Sequence, residues 1–362
     1  MFNLKSLYPI GIDIGKKNLY AAQLRKTRQG LSVGGLGHRE LNEGADDALI
    51  SALKEISGNG QFRGKRVAVH LPPQNVLSFP IRFQVANEAS LEEAILRESK
   101  AYISFPIEEA IIDYPSLISP SPGGANQYSA IITAIRREHV EQYLLMLKQA
   151  GLIVEAVDFA VCSLIRLHNF LHNTTNNLTI LCHIGYTQSL LSAVTKEGII
   201  AERTVPWGIQ IPLKKIMVNF ELTGDENKAR LLLKKYGLGH ESRNGSDKDI
   251  NLADETETGN IRAVFQVIAP HIEELADEFH KMIGYLRSEE RNEVVEGIYI
   301  YGQGALIHNL DSYIEGKLNI PTQVINAMTK FGLSDDAILQ DSSDGASFAL
   351  ALGLAMRKVS WL

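Results

Sequence analysis

Cysteine is nearly missing from this sequence: Cys162 and Cys182 are the two in 362 residues. Both sit in apolar runs, "DFAVCSLI" and "LTILCHIG", and no CxxC spacing occurs. That pattern excludes a disulfide framework and a cysteine-based zinc site, and it reads as reduced, buried thiols of a cytoplasmic protein. Long apolar runs are lacking too. None approaches the roughly 20 residues that span a bilayer, and the start, "MFNLKSLYPIG", has no apolar signal-peptide core. The expectation is a cytoplasmic chain with no direct membrane insertion, held at a membrane only through something else. Net positive charge is also absent. Lys and Arg number 36 against 42 Asp and Glu, a balance of −6, which excludes a general nucleic-acid binder because phosphate contacts need a basic surface. His139, His168 and His172 lie near helical stretches without acidic partners at ligand spacing, so a metal site there is not expected.

What is present reads as a globular chain long enough for two core-bearing domains, at 45% hydrophobic and 22% charged residues. The first 83 residues are β-rich. "YPIGIDI", "NLYAAQLRK" and "GLSVGGLGHREL" predict an antiparallel meander. "DDALISALKEI" has helical spacing, "RVAVHLP" is a strand, and "VLSFPIRF" is a further strand interrupted by Pro80. From about residue 85 the texture changes. "SLEEAILRESKAYI" opens with a capping box, Ser90 and Glu93. "YSAIITAI" is a strand, and "REHVEQYLLMLKQAG" is a helix stopped by Gly151. "LIVEAVDF" then feeds the helix "AVCSLIRLHNFL". Residues 119–127 read as a loop. "IRAVFQVIAPHIEELADEFHKMIGYLRSEE" predicts a long helix bent ahead of Pro270. Residues 237–260 hold almost no large apolar side chains and read as a mobile loop. "SFALALGLAMR" is a last apolar helix, and Trp207 is read as an interior aromatic beside a strand end.

The stretch "NLTILCHIGYTQSLLSAV" repeats the outline of "YPIGIDIGKKNLYAAQL": buried strand, Gly-bounded turn, second strand. Two such units can be plain hairpins. They can also be paired phosphate cradles facing one cleft, with turn N–H groups aimed at a triphosphate and Gly11 and Gly15 admitting it closely. Asp13 would then hold a hydrated Mg²⁺ or orient a water. A third Gly turn, "YGQGAL" at 301–306, ends a strand and opens a helix.

This order of elements is similar to the actin-like ATPase fold of actin, Hsp70, sugar kinases and FtsA. More closely, the chain resembles the PilM family of type IV pilus assembly. The resemblance is carried by "IGIDIGKKNLYAAQL", "RVAVHLPPQNVLSFPIRF", "LEEAILRESKAYISFPIEEAIIDYPSL", "AGLIVEAVDFAVCSLIRL", "IYIYGQGALIHNL" and "SFALALGLAMR". It implies an α/β, actin-like (ribonuclease H-like) two-lobe fold with an FtsA/PilM-type inserted subdomain. The first lobe core would be 1–84 plus 158–178 and 349–362, and the insert 85–157. The second lobe core would be 179–209 plus 295–348, with a helical subdomain at 210–294 and a mobile loop at 238–260.

By resemblance, ATP would sit between the lobes against Gly11, Asp13, Gly15, Lys16, Lys17 and Asn18 from the first hairpin. His183, Gly185, Tyr186 and Thr187 would meet it from the second, and Gly302, Gly304 and Ala305 from the third turn. Asp13 would be the catalytic and Mg²⁺-ordering carboxylate. The partner implied is the cytosolic N-terminal peptide of a PilN-like bitopic membrane protein, in a groove walled by Tyr102, Ile103, Phe105 and Pro106. The setting is an inner-membrane platform of a pilus or related secretion system, and self-association is compatible with the fold.

The chain departs from the family pattern in four places. His183 stands where an Asp is expected and Lys16 where a small hydroxyl residue is expected. Arg230 and Leu233 replace a Glu/Lys pair, and Lys281 and Met282 replace an Arg-Ser. Together they imply a degenerate or weak ATP site and at most a weak ATPase. The alternatives are an active ATPase or small-molecule kinase on the same fold, and an FtsA-like membrane-associated filament. No catalytic Asp motif for a kinase is found, and the tail after "AMR" is too short for an amphipathic anchor.

Overall fold

The computed structural model describes residues 8–28, 30–41, 46–84, 91–118, 127–172, 177–239, 255–288, 294–333 and 342–357. Ser90 and residues 119–126 and 240–254 therefore lie outside the described residues. Three sheets organise the rest. The first has six strands in the order β14-β3-β2-β1-β4-β8. These are β1 (Ile10–Ile14), β2 (Asn18–Thr27), β3 (Gly30–Glu40), β4 (Arg66–His70), β8 (Ile153–Asp158) and β14 (Gly332–Leu333). The second has five, in the order β11-β10-β9-β12-β13: β9 (Thr179–Ile184), β10 (Ser189–Thr195), β11 (Gly198–Val205), β12 (Gly297–Gly302) and β13 (Thr322–Val324). In each, an antiparallel meander continues into parallel strands, as β1 pairs β4 and β9 pairs β12.

Two helices, α4 (Ala160–Leu171) and α9 (Ala349–Ala355), form a layer between the sheets. One apolar cluster joins Ala22, Leu24 and Val33 of the first sheet to Leu164, Leu167 and Leu352 of these helices, and on to Leu181 and Tyr301 of the second sheet. The approach of α9 to β1 is so close that a Cβ on Gly11 would lie 2.0 Å from the Ala351 carbonyl oxygen. The outer face of the first sheet is covered by α1 (Asp46–Gly58) and α3 (Arg137–Gln149), through Leu53, Ile56 and Leu147. The outer face of the second is covered by α5 (Gln210–Asn219), α6 (Glu226–Lys235), α7 (Glu255–Ser288) and α8 (Leu310–Leu318). Trp207 is 3% exposed there, and its indole N–H donates to the His271 carbonyl at 2.8 Å, so it is interior as expected.

The third sheet, β5-β7-β6, is β5 (Val76–Gln84), β7 (Gln127–Arg136) and β6 (Ala110–Ile118), with α2 (Leu91–Ser99) on one face. It corrects the expected boundaries. "VLSFPIRF" belongs to this inserted sheet and not to the first lobe, because its alternation buries Phe79, Ile81 and Phe83 against α2. Pro80 is tolerated because β5 is an edge strand, where a missing N–H costs least. At the other end, β8 pairs with β4 and so returns to the first lobe before residue 157. β14, expected with the second lobe, pairs with β3 of the first.

Smaller expectations also change. Of the stretch expected as a loop at 238–260, the described ends are ordered differently. Leu238 is buried, with its N–H donating to the His308 carbonyl, and α7 already starts at Glu255. That helix is the long one expected, and Pro270 lies inside it. The turn after β12 leads into a short 3-10 turn at Gln303–Leu306, and α8 begins only at Leu310.

Candidate functional site

The duplicated hairpins are built alike. In the first, the Gly15 N–H donates to the Asn18 carbonyl at 2.9 Å; in the second, Gly185 donates to Gln188 at 3.0 Å. A Cβ would meet those same carbonyl oxygens at 3.0 and 2.9 Å, so both turns favour glycine. Asp13 and His183 occupy equivalent positions, two residues before each glycine. They pair across their hairpins with Tyr20 and Leu190. Both line one cleft of about 740 Å³ between the lobes, together with Gly15, Lys16, Asn18, Gly185, Tyr186 and Thr187. The two hairpins therefore converge as the repeat implies.

Not every expected residue is there. The missing side chain of Gly11 is explained by α9, on which it packs, and not by a phosphate. Gly302 and Gly304 face β9: a Cβ on either would run into Ile184 at 2.5 and 2.3 Å, and neither these two nor Ala305 lines the cleft. Gln303, between them, does line it. Lys17 is at the rim, committed to ion pairs with Glu226 and Glu40. Of the departures from the family pattern, Lys16 and His183 line the cleft. Arg230 reaches its edge, 3.4 Å from Gln303 Oε1. Leu233 and Met282 are buried in the second-lobe core, and Lys281 is exposed on α7, paired with Glu278. The four losses are thus not gathered in one cleft; apolar packing accounts for two of the residues.

The residue that sequence reading missed is His70. It ends β4, which lies parallel to β1 with Ile12 opposite Val69, so His70 falls beside Asp13. Its Nε2 is 2.8 Å from Asp13 Oδ1, and its Nδ1 is 2.9 Å from the Leu71 carbonyl oxygen. Asp13 and His70 are 7% and 4% exposed. The Tyr143 hydroxyl donates to the His70 carbonyl at 3.1 Å. Burial opposes a charge on His70, but the bond to Asp13, its carboxylate charge and the Leu71 carbonyl outweigh it, and the pKa is raised. His183 behaves oppositely: burial lowers its pKa, with His70 adding to the effect and Asp13 opposing it.

At the mouth, Glu226 at the start of α6 gathers three partners. Lys17 comes from the first hairpin, the Tyr186 hydroxyl donates at 2.9 Å, and Arg230 at 2.7 Å. Burial raises the Glu226 pKa, but these donors outweigh it and lower it. Asn18 extends the contact, donating to Gln303 and facing His38 at 2.8 Å. The lobes are bridged by charge across the opening. Farther in, burial pushes Glu202 of β11 up to about 7, against a hydrogen bond from Ser78 of the inserted sheet.

The donor set does not suit Mg²⁺, which wants an octahedron of oxygens. One oxygen of the first-hairpin carboxylate, Oδ1, is engaged with His70, and the second hairpin offers an imidazole. No group of three or more His, Cys, Asp or Glu among the described residues is placed to hold a metal ion. The expected groove residues lie apart from the cleft, on the inserted sheet. Tyr102, half exposed, stacks on Phe79 at 4.6 Å, and Phe105 lies under the Arg136 guanidinium at 4.4 Å. Ile103 is buried, and Pro106 precedes a short 3-10 turn.

A solved structure described as a PilM-PilN type IV pilus biogenesis complex is similar at 21% identity and a TM-score of 0.76, over 97% of this chain and 98% of that one. The ethanolamine utilization protein EutJ from Carboxydothermus hydrogenoformans is similar at 12% identity and a TM-score of 0.55, over 96% and 89%. MreB 5 of Spiroplasma citri, bound to AMPPNP, is similar at 11% and 0.52, over 95% and 93%. These neighbours identify the fold as actin-like. The family model described as type IV pilus assembly protein PilM matches residues 11–359, and the chain belongs to that family.

Proposed function

We propose that this protein is a cytoplasmic scaffold of a type IV pilus or related secretion platform, docking the cytosolic N-terminal peptide of a PilN-like bitopic membrane protein. Family membership supports a role in pilus assembly. The observation that carries the finer reading is the likeness to a PilM-PilN complex along nearly the whole chain. No helix among the described residues is long and apolar enough to cross a membrane, so attachment through a partner suits the chain. The inserted sheet supplies a surface of suitable chemistry. Half-exposed Tyr102 and the Phe105–Arg136 pair offer apolar and cation–π contacts to an extended peptide.

The cleft is read as a degenerate or weak nucleotide site. Gly15, Lys16, Gly185 and Thr187 remain to meet phosphate, while His183 replaces the second carboxylate and Leu233 is packed in the core. Hydrolysis is expected to be slow or absent.

A fluorescently labelled peptide of the partner's cytosolic segment tests the scaffold reading by anisotropy. Binding is expected to weaken by about tenfold or more in Tyr102→Ala and Phe105→Ala, as for anchors of an interface. Absence of binding to the wild-type protein sinks the reading. Binding untouched by both substitutions moves the groove elsewhere on the inserted subdomain.

A further inference from the structure

We propose that His70, bonded to Asp13, supplies there the positive charge that a hydrated divalent cation would otherwise bring, so that the cleft accepts its anionic ligand without Mg²⁺. The proposal rests on the reading of the cleft as a phosphate site and adds how the negative charge there is balanced.

The hydrogen-bond geometry carries it. Both ring nitrogens of His70 face acceptors, the Leu71 carbonyl at 2.9 Å and Asp13 Oδ1 at 2.8 Å. A neutral ring has one N–H, and a carbonyl can only accept, so Nδ1 keeps that proton. Nε2 would then turn a lone pair against the Asp13 carboxylate unless a second proton lies between them. With that proton on the ring, Asp13 faces a cation. With it on Asp13, the carboxyl is neutral. Either way the Asp13 charge is already met, and Oδ2, the oxygen not bonded to His70, is left a poorer ligand for a metal ion than that of a bare carboxylate. The raised His70 pKa agrees with the first arrangement.

The pair is also fixed in place. β4 is held between β1 and β8, and Tyr143 hydrogen-bonds the His70 carbonyl. Rotating His70 away would leave a buried carboxylate unpaired, a costly outcome.

Asp13 and Glu202 are the acids among the described residues that line the cleft. His183 holds the matching position of the second hairpin, and a hard cation prefers oxygen to imidazole. Glu226 is taken by Lys17, Tyr186 and Arg230. Glu202 keeps Oε2 buried without a hydrogen-bond partner, but burial raises its pKa to about 7, against a hydrogen bond from Ser78. Lys16, exposed in the first turn, is the cation left to meet phosphate directly.

Calorimetry with ATP on the full chain, in Mg²⁺ and in excess EDTA, tests this. The two dissociation constants are expected to agree within about threefold, and a larger loss of affinity in EDTA overturns the proposal. Titration with Mn²⁺ as a paramagnetic probe gives a nucleotide-free readout. The ring signals are assigned with His70→Gln and His183→Gln. No selective broadening of the His70 and His183 signals is expected, and saturable broadening of either overturns the proposal. If ATP binds in neither buffer, the phosphate-site reading fails, and the Mn²⁺ titration alone decides whether His70 excludes the cation.

Discussion

Asp13 was legible from the sequence as a buried acid before a glycine turn, but its partner was not. Pairing Asp13 with His70 depends on the parallel register of β1 and β4, 57 residues apart, and no local pattern reports it. The same limit hid the His168 cluster. Its Nδ1 lies 2.8 Å from the Tyr301 hydroxyl, and its ring stacks on His172. His70 and His168 give the protein opposed responses to pH. The folded pKa of His70 is raised above 6.5, so its contribution is complete below that value and is lost as pH climbs through the raised pKa. Burial, then the neighbouring His172, lower His168 to about 4. Its contribution is therefore present above 6.5 and lost as pH falls toward 4. Urea midpoints across this range are expected to drop on both sides of a maximum. His70→Gln should flatten the alkaline limb, and His168→Gln should flatten the acid limb by about 3 kcal/mol. An unchanged profile in either variant contradicts the assignment of that limb.

Among the elements, those with strong periodicity or punctuation were readable. The helix "REHVEQYLLMLKQAG" does stop where Gly151 follows it, at φ +77°. The hairpins end where their glycines stand. β5 was readable as a strand but not as a member of the inserted sheet. Its alternation says one face is buried, and only the pairing with β7 says against what. The bridge from the first hairpin to α6 is likewise a product of assembly. Lys17 and Glu226 are separated by 209 residues, with side chains 25% and 15% exposed. A double-mutant cycle with Lys17→Met and Glu226→Gln is expected to give a coupling of about 1–2 kcal/mol in urea unfolding, above the range of exposed pairs. Strict additivity would mean that the contact contributes nothing to holding the lobes together.

For the molecule as a whole, the two-lobe plan could be read from the duplicated strand-turn-strand units and the late third turn. The docking of the inserted sheet onto β11 could not, since Ser78 and Glu202 carry no joint signature. Neither could the helix layer shared by both sheets, which takes α4 from mid-chain and α9 from beyond residue 348. Gly11 measures how tightly that layer is seated. Gly11→Ala would drive a methyl into the α9 backbone at the Ala351 carbonyl and the Ala355 N–H. It is expected to cost about 2–4 kcal/mol in urea unfolding. By contrast Gly284→Ala, in open space on α7, should stabilise by roughly 0.5–1 kcal/mol. A Gly11→Ala protein as stable as wild type would show that β1 and α9 are not in this close contact.

Helix α9 follows every other described element, yet it lies against the strand that comes first. During synthesis on the ribosome, β1 and α4 must therefore wait with greasy surfaces bare until α9, far along the chain, has emerged. Helix α9 is the keystone, and a nascent chain of this design depends on whatever shields those surfaces in the interval.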